Sequence, residues 1–409
     1  MGYGVMKYMG SKQLMLQNGL GEMIVDQAKN LNRVVDLFCG AGFISQFAAQ
    51  NTNCSVLAVD LQLYATTLAG SVIERTSPIN TEVLIEQWIK HSLNRYRRSA
   101  LLTEWNELSK TYLYSIDKIK KSCNDRPNRL LKQKDFTDIF ASMVLDARNF
   151  CSRKKNRSLI LYAYGGHYFS PAQALAFDYL RKYLPQNNPE RKVALAAMLT
   201  VASRCAASPG HTAQPFQPTE GGSKYLRESW QKNPFDLCAH AVLNISAQYA
   251  RLRGETYTGD AVNYANNLRN TDLAILDPPY SNVQYSRFYH VLETIARGSC
   301  GDITGVGRYP PLDERPRSEF SSSAQSLSAF TKILDALSST GATVLITFPN
   351  VECSNGMSSK DIEAIATKNF KIKNRIVKTK FSTLGGKGKA GHRASRKLTD
   401  ELILLLKPR

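Results

Sequence analysis

The sequence lacks paired cysteines and long apolar runs. Its eight cysteines are scattered without a Cys-x-x-Cys pair, which argues against a zinc site or a disulfide framework and favours reduced thiols. No apolar run is long enough to span a membrane, and no signal peptide is recognisable. We therefore expect a soluble, cytoplasmic protein with no membrane partner and no bound metal.

Acidic residues are also scarce. Lys and Arg total 53 against 34 Asp and Glu, which gives a net charge of +19 at pH 7. An excess of this size indicates a polyanionic partner such as nucleic acid, although solubility alone is the alternative interpretation. With 409 residues, of which 43% are hydrophobic, the chain is long enough for two domains.

A glycine-containing loop follows the first predicted strand, but it lacks two common phosphate-binding fingerprints. Residues 36–42 read Asp-Leu-Phe-Cys-Gly-Ala-Gly, without the third glycine of G-x-G-x-x-G and without the Lys-Ser/Thr of a P-loop. Gly40 and Gly42 still allow a ligand to approach the backbone closely. The next predicted strand, 55–59, ends at Asp60, where ribose-binding α/β folds place an acid. Together they predict a cofactor that contains a nucleoside.

A short motif follows the most apolar predicted strand, residues 273–276. Asp277, Pro278, Pro279 and Tyr280 come directly after it. The carboxylate of Asp277 and the carbonyl of Pro278 can each accept a hydrogen bond from one exocyclic amine, while Tyr280 stacks on the ring that carries it. A proline turn with Tyr280 merely packing is the alternative interpretation.

Between about residues 66 and 252 the alternation of strand and helix stops, and the pattern is mostly helical. This segment is too long for a loop and predicts a second domain. Within it, Ser170 and Pro171 predict a capped helix start. Basic and polar side chains here and in the glycine-rich run 385–393 are candidate DNA contacts. They are Arg153, Lys154, Arg157, Arg204, His211, Gln214, Lys387, Lys389 and Arg393. For Arg204 and His211, local hydrogen bonding is an equally good interpretation, and 385–393 can also be a solvated hairpin tip.

The order of these motifs resembles that of S-adenosylmethionine-dependent DNA adenine-N6 methyltransferases of the Dam-like, alpha-ordered group. The matching features are residues 7–12, residues 36–42, Asp60, the long insertion and residues 277–280. Segments 164–170, 202–214 and 284–290 are also similar to modification methylases of restriction systems. The resemblance implies a class I, Rossmann-like α/β methyltransferase sheet formed by residues 1–65 and 253–409. Residues 66–252 would be an inserted, mostly helical target-recognition domain.

The resemblance also implies roles for individual residues. S-adenosylmethionine would lie over the glycine loop, with its ribose on Asp60, its adenine near Asp260 and its methionine end near Lys7, Tyr8 and Asp36. The implied cofactor-binding set is Lys7, Tyr8, Lys12, Asp36, Phe38, Gly40, Gly42, Asp60, Asp260, Ala261 and Asp277, and the catalytic set is Asp277, Pro278, Pro279 and Tyr280. Capping by Asp36 and a turn role for Asp260 are the alternative interpretations.

The implied activity is sequence-specific methylation of N6 of a flipped adenine in duplex DNA, by a monomer whose cognate restriction endonuclease acts separately. Three alternatives stay open. The amine can be N4 of cytosine, the substrate can be RNA, or the protein can bind nucleic acid without catalysis and carry a degenerate cofactor pocket.

Overall fold

The computed structural model describes the backbone of residues 12–121, 129–381 and 397–409. The strands are β1 (Arg33–Asp36), β2 (Ser55–Asp60), β3 (Glu255–Thr258), β4 (Asp272–Leu276), β5 (Thr343–Pro349), β6 (Phe370–Phe381) and β7 (Lys397–Pro408). The helices are α1 (Gln13–Met15), α2 (Gly21–Ala28), α3 (Phe43–Asn51), α4 (Leu63–Ile73), α5 (Thr81–Leu84), α6 (His91–Arg97), α7 (Ala100–Lys121), α8 (Arg129–Ser152), α9 (Leu159–Tyr164), α10 (Pro171–Lys182), α11 (Glu190–Cys205), α12 (Glu220–Trp230), α13 (Pro234–Ser246), α14 (Ala261–Ala265), α15 (Tyr285–Arg297), α16 (Ser326–Thr340) and α17 (Ser359–Asn369). Two π-helical segments, Leu16–Leu20 and Ile85–Lys90, and a 3-10 turn, Glu319–Ser321, complete the set.

The seven strands form one mixed sheet in the order β3-β2-β1-β4-β5-β7-β6. Strands β1 to β5 run parallel to one another, whereas β7 is antiparallel to both β5 and β6. The predicted α/β class is therefore confirmed, and the arrangement is compatible with a Rossmann-like fold. All five residues of β4 are buried, as expected for a central parallel strand that is covered on both faces.

The order in which strands are added to the sheet changes sides at β1. The chain proceeds from β1 to β2 and β3 on one side, while β4 and β5 lie on the other side. In open α/β sheets, the crevice at the carboxyl ends of the strands beside such a switch point is the usual ligand site. The register pairs Asp36 at the end of β1 with Ile275 of β4. Residues 36–42 and 277–280 therefore leave the sheet at the same edge.

The chain divides into two compact units. The sheet unit contains residues 12–79 of the described chain together with Ser246–Phe288 and the described part of Arg315–Arg409. Its divisions fall at residues 79 and 245 instead of the expected 65 and 252. The physical reason is that α4 packs against β2 and β3 of the sheet.

The helical unit contains Asn80–Ile245 and also Tyr289–Glu314. Ser170 caps α10 in a reciprocal capping box with Gln173, and Pro171 is the first residue of that helix, as the sequence predicts. The indole of Trp88 is fully buried and donates a 2.8 Å hydrogen bond to the carbonyl of Leu180. Across residues 12–121, 129–381 and 397–409, no helix has both the length and the apolar character that crossing a membrane requires.

Candidate functional site

One cleft in the sheet unit brings the glycine loop and the Asp-Pro-Pro-Tyr motif together. Gly40 and Asp277 both line it, as do Phe38, Asp60, Asp260, Ala261, Pro278, Pro279 and Tyr280. Its empty space, including the mouth that is open to solvent, is about 990 Å³. Lys12, Asp36 and Gly42, which the sequence also assigns to the site, are not among the lining residues.

The glycine loop is shaped by packing as much as by ligand access. Gly40 and Gly42 have φ values of 50° and 80°, a region that favours glycine. A Cβ on Gly42 would lie 2.9 Å from the Cα of Ala69 in helix α4. Gly42 is therefore needed where two helices approach each other, and it also precedes the first residue of α3. Gly40 lines the cleft and donates its backbone N–H to the carboxylate of Asp60 at 3.0 Å.

Asp36 is buried at the end of β1, with 1% of its surface exposed. Its Oδ2 accepts a 2.6 Å hydrogen bond from the hydroxyl of Ser45, and its Oδ1 has no hydrogen-bond partner among the described residues. Burial raises the pKa of Asp36 to about 7. The hydrogen bond from Ser45 lowers this pKa, whereas the negative charge of Asp277 raises it further. Among the described residues, no backbone N–H of α3 donates to Asp36, and its bond to that helix comes from the side chain of Ser45.

Two further acids sit at strand ends and line the cleft. Both oxygens of Asp60 accept backbone hydrogen bonds, from Gly40 at 3.0 Å and from Gln62 at 3.0 Å. The Oδ1 of Asp260 accepts from Val262 and Asn263 at 2.9 and 3.1 Å and thereby caps α14. Asp260 is thus a turn acid, as its alternative interpretation states, while its Oδ2 has no partner among the described residues. Both carboxylates are held in place at the edge of the cleft.

The carboxylate of Asp277 is held on one side only. Its Oδ1 accepts a 2.9 Å hydrogen bond from the hydroxyl of Thr347 on β5 and lies 3.0 Å from the ammonium of Lys12. Within the described parts of the chain, its Oδ2 and the carbonyl oxygen of Pro278 accept no hydrogen bond. Both of these residues line the cleft, so two acceptors from neighbouring residues are available there.

Lys12 joins Asp277 to a second acid that the sequence analysis missed. Its ammonium lies 3.2 and 3.3 Å from the two carboxylate oxygens of Glu401, and both side chains are 5% exposed. Burial lowers the pKa of Lys12, but the charges of Asp277 and Glu401 outweigh this effect and the net pKa is raised. Burial also raises the pKa of Glu401, against the opposing effect of Lys12. One ammonium is therefore shared by two carboxylates.

The antiparallel direction of β7 explains why Glu401 reaches this cluster. Glu401 pairs with Pro349 at the carboxyl end of β5, so the first half of β7 lies at the edge of the sheet where the parallel strands end. The sequence signal was an acid directly before the apolar run 402–406. The direction of β7 is not visible in the pattern of residues, so the pattern does not place an acid before this strand at the same edge as acids that follow parallel strands.

Contacts with Phe348 and Lys12 help to orient Tyr280. Its ring lies edge-on to Phe348, with centroids 6.3 Å apart and an interplanar angle of 81°. The ammonium of Lys12 is 5.7 Å from its centroid. The side-chain amide of Asn355 donates to the carbonyl of Pro279 at 3.1 Å and fixes the turn between the prolines and the ring. Tyr280 both packs on the core and lines the cleft.

The predicted DNA contacts fall in four groups. Arg153, Arg157 and Gln214 are exposed in the helical unit. Lys154 is buried there, where its ammonium lies 2.8 Å from the carboxylate of Glu104 and 4.6 Å from the ring centroid of Phe150. This contact occupies the ammonium.

Arg204 and His211 are partly buried in the helical unit. The imidazole Nδ1 of His211 accepts the backbone N–H of Ala213 at 3.2 Å, a local bond of the kind that its alternative interpretation proposes. Lys7, Tyr8, Lys387, Lys389 and Arg393 lie outside the described residues.

The cleft is the only basis for assigning the protein to a class. No protein-family model matches the sequence, and no curated protein matches it either. In the described ranges, no group of three or more His, Cys, Asp or Glu side chains is arranged to hold a metal ion. The function must therefore be argued from the strand-end carboxylates, the unpartnered acceptors and the tyrosine.

Proposed function

We propose that the protein is a DNA adenine-N6 methyltransferase that uses S-adenosylmethionine. The observation that carries the proposal is a pair of acceptors, Asp277 Oδ2 and the Pro278 carbonyl, to which no described residue donates and which lie in the same cleft as Gly40 and Asp60. An exocyclic amine has two N–H donors, so two neighbouring acceptors match it. Tyr280 offers an aromatic face beside them.

The residues on the other side of the cleft fit the cofactor. Asp60 is fixed by two backbone amides at the end of β2, where ribose-binding α/β folds place an acid. Among the described residues, nothing donates to the Oδ2 of Asp260, and Gly40 lines the cleft. When bound, S-adenosylmethionine supplies a methyl group that is activated by an adjacent sulfonium. The task left to the chain is to position the accepting nitrogen.

Asp277 orients the amine and later takes part in its deprotonation. Hydrogen bonds from the two N–H groups to Asp277 and to the Pro278 carbonyl turn the nitrogen lone pair toward the methyl group. The nitrogen gains positive charge during transfer, so its proton becomes acidic only then. Thr347 and Lys12 hold the other oxygen of Asp277.

A target base in duplex DNA must leave the helix to reach this cleft. Flipping a base costs a few kcal/mol, which stacking on an aromatic side chain partly offsets. Tyr280 is the aromatic residue next to the two acceptors, and the excess of 53 basic over 34 acidic residues favours a polyanionic substrate. The proposed substrate is therefore duplex DNA, read at a specific sequence as in restriction–modification systems, with any endonuclease acting as a separate protein.

The test is incubation with S-adenosylmethionine labelled in its methyl group and a library of DNA sequences. Digestion to nucleosides should yield labelled N6-methyl-2′-deoxyadenosine, and mapping the modified base should give its sequence context. Labelled N4-methylcytosine would instead identify a cytosine-N4 methyltransferase, which the same two acceptors can serve. A parallel incubation with RNA tests the RNA alternative, and label on the RNA with none on the DNA would place the activity on RNA. Cofactor binding without transfer to any nucleic acid would refute the proposed activity.

A further inference from the structure

A second cleft in the sheet unit adjoins the first one. The two share Gln284 and Ser318 in their lining, and the second also contains Asn282, Arg317 and Ser321. Its empty space, open to solvent, is about 930 Å³. Asn282 of the second cleft follows Tyr280 of the first cleft by two residues, so the two clefts are also linked along the chain.

The boundary between the clefts is held by one side chain. The amide nitrogen of Gln284 donates to the carbonyls of Ser318 and Ser321 at 3.0 and 3.3 Å. Its amide oxygen accepts the backbone N–H of Ser318 at 2.7 Å. Gln284 is thus occupied by the loop that forms the far wall, and it fixes that wall relative to the segment that follows Tyr280.

The second cleft is rich in hydrogen-bond donors. Arg317 is exposed and makes no ion pair with any described residue. The Oδ1 of Asn282 accepts the backbone N–H of Ser323 at 3.2 Å, while its amino group has no partner in the described chain. Ser321 is 3% exposed, and its hydroxyl has no partner there either. The guanidinium of Arg317 and the amino group of Asn282 are therefore available to an acceptor, whereas the hydroxyl of Ser321 is buried.

The single acid in the lining does not cancel this character. Glu319 lies 3.3 Å from the ammonium of Lys332, so its charge is already paired, although weakly because both groups are partly exposed. A guanidinium and an amide amino group, neither paired with any described residue, suit an anion with several oxygen acceptors. A phosphodiester has this character.

We propose that the second cleft binds the backbone phosphate of the nucleotide whose base occupies the first cleft. The proposal rests on the proposed function and adds the residues that anchor the flipped nucleotide. A base and its own phosphate belong to one nucleotide, and adjoining clefts with a shared wall can hold them together. Contacts to phosphate position a nucleic acid without reading its sequence. Arg317 is therefore a positioning residue for the target base.

The experiment combines a protein change with a DNA change. After the target base has been mapped, duplexes are made with a neutral methylphosphonate in place of the phosphate on either side of that nucleotide. Binding of the wild-type protein and of Arg317→Gln is measured on these duplexes and on unmodified DNA. We expect Arg317→Gln to weaken binding of unmodified DNA about tenfold, and to have no further effect on the duplex that lacks the contacted charge. The slope of log affinity against log salt should fall by about 1.

Arg269→Gln is the matched control, because Arg269 is exposed on the same unit and lines neither cleft. Asn282→Ala is a second variant, and it should behave like Arg317→Gln with a smaller effect. Equal effects of Arg317→Gln and Arg269→Gln would overturn the proposal. So would an effect of Arg317→Gln that is the same on every duplex. In both cases methylation by the wild-type protein continues, whereas absence of any methyl transfer would overturn the proposed function and this inference together.

Discussion

The buried carboxyl of Asp36 should make the stability of the folded protein depend on pH. Its folded pKa is about 7, against an ordinary value of 3.8. Because the folded state holds this proton more tightly than the unfolded chain, the contribution of Asp36 is most favourable below about pH 4. It is lost as the pH rises from about 4 to about 7, and it changes no further above that range.

The size of the effect follows from the two pKa values. One pKa unit is worth about 1.4 kcal/mol, so the span from 3.8 to about 7 corresponds to about 4 kcal/mol. Asp36→Asn removes the titration but keeps an oxygen that can accept from Ser45. The free energy of unfolding of Asp36→Asn minus that of the wild-type protein should therefore rise by about 4 kcal/mol between pH 4 and pH 8.

Urea unfolding of both proteins at several pH values measures this difference. A constant loss from imperfect packing of the asparagine shifts all values equally, so it does not affect the pH dependence. Asp313→Asn, at an exposed position in the helical unit, is the control and should show no comparable trend. If the difference for Asp36→Asn is the same at pH 4.5 and pH 8, Asp36 is already ionised in the folded protein and the reasoning from burial is wrong.

Four further changes test the site. Asp277→Asn should reduce methyl transfer at least about 100-fold while calorimetry still detects cofactor binding, and full activity would contradict the assigned role. Tyr280→Ala should slow transfer about 10- to 100-fold in single-turnover assays without weakening duplex binding, because it removes a stacking surface; an equal loss of binding would argue against stacking. Gly42→Ala should lower the free energy of unfolding in urea by roughly 1–3 kcal/mol, since its Cβ would meet Ala69, and an unchanged midpoint would show that the loop relaxes freely. Glu401→Gln should slow transfer about tenfold with cofactor affinity preserved, whereas an unchanged rate would leave Glu401 with a structural role alone.

The parallel half of the fold was predictable because its signals are local. Apolar runs ending in an acid located β1, β2 and β4, and parallel strands bring their carboxyl ends to one edge. Gly40, Asp60 and Asp277 were therefore expected near one another, and they line one cleft. The sequence shows that β6 and β7 follow β5, but it does not show which of them pairs with β5. The place of β7 beside β5 was therefore not predictable.

Most of what holds Asp277 was missed for the same reason. Thr347 on β5 reaches Asp277 across 70 residues of sequence, and Glu401 on β7 reaches its partner Lys12 across 389 residues, both through strand pairing. The burial of Lys154 was missed for a different reason. A cluster of basic residues looks uniformly exposed in sequence, and only the packing of helices α7 and α8 turns one lysine inward onto Glu104.

The sharing of Lys12 gives the cluster a charge suited to its proposed reaction. Lys12 paired with Asp277 alone would leave the amine site electrically neutral. Glu401 adds a second buried carboxylate to the same ammonium, so with all three groups ionised the cluster carries one net negative charge. In a poorly solvated site, a net charge of this sign stabilises positive charge that develops on a bound amine. Because Lys12 and Thr347 both engage Oδ1 of Asp277, that charge is offered to the cleft through Oδ2.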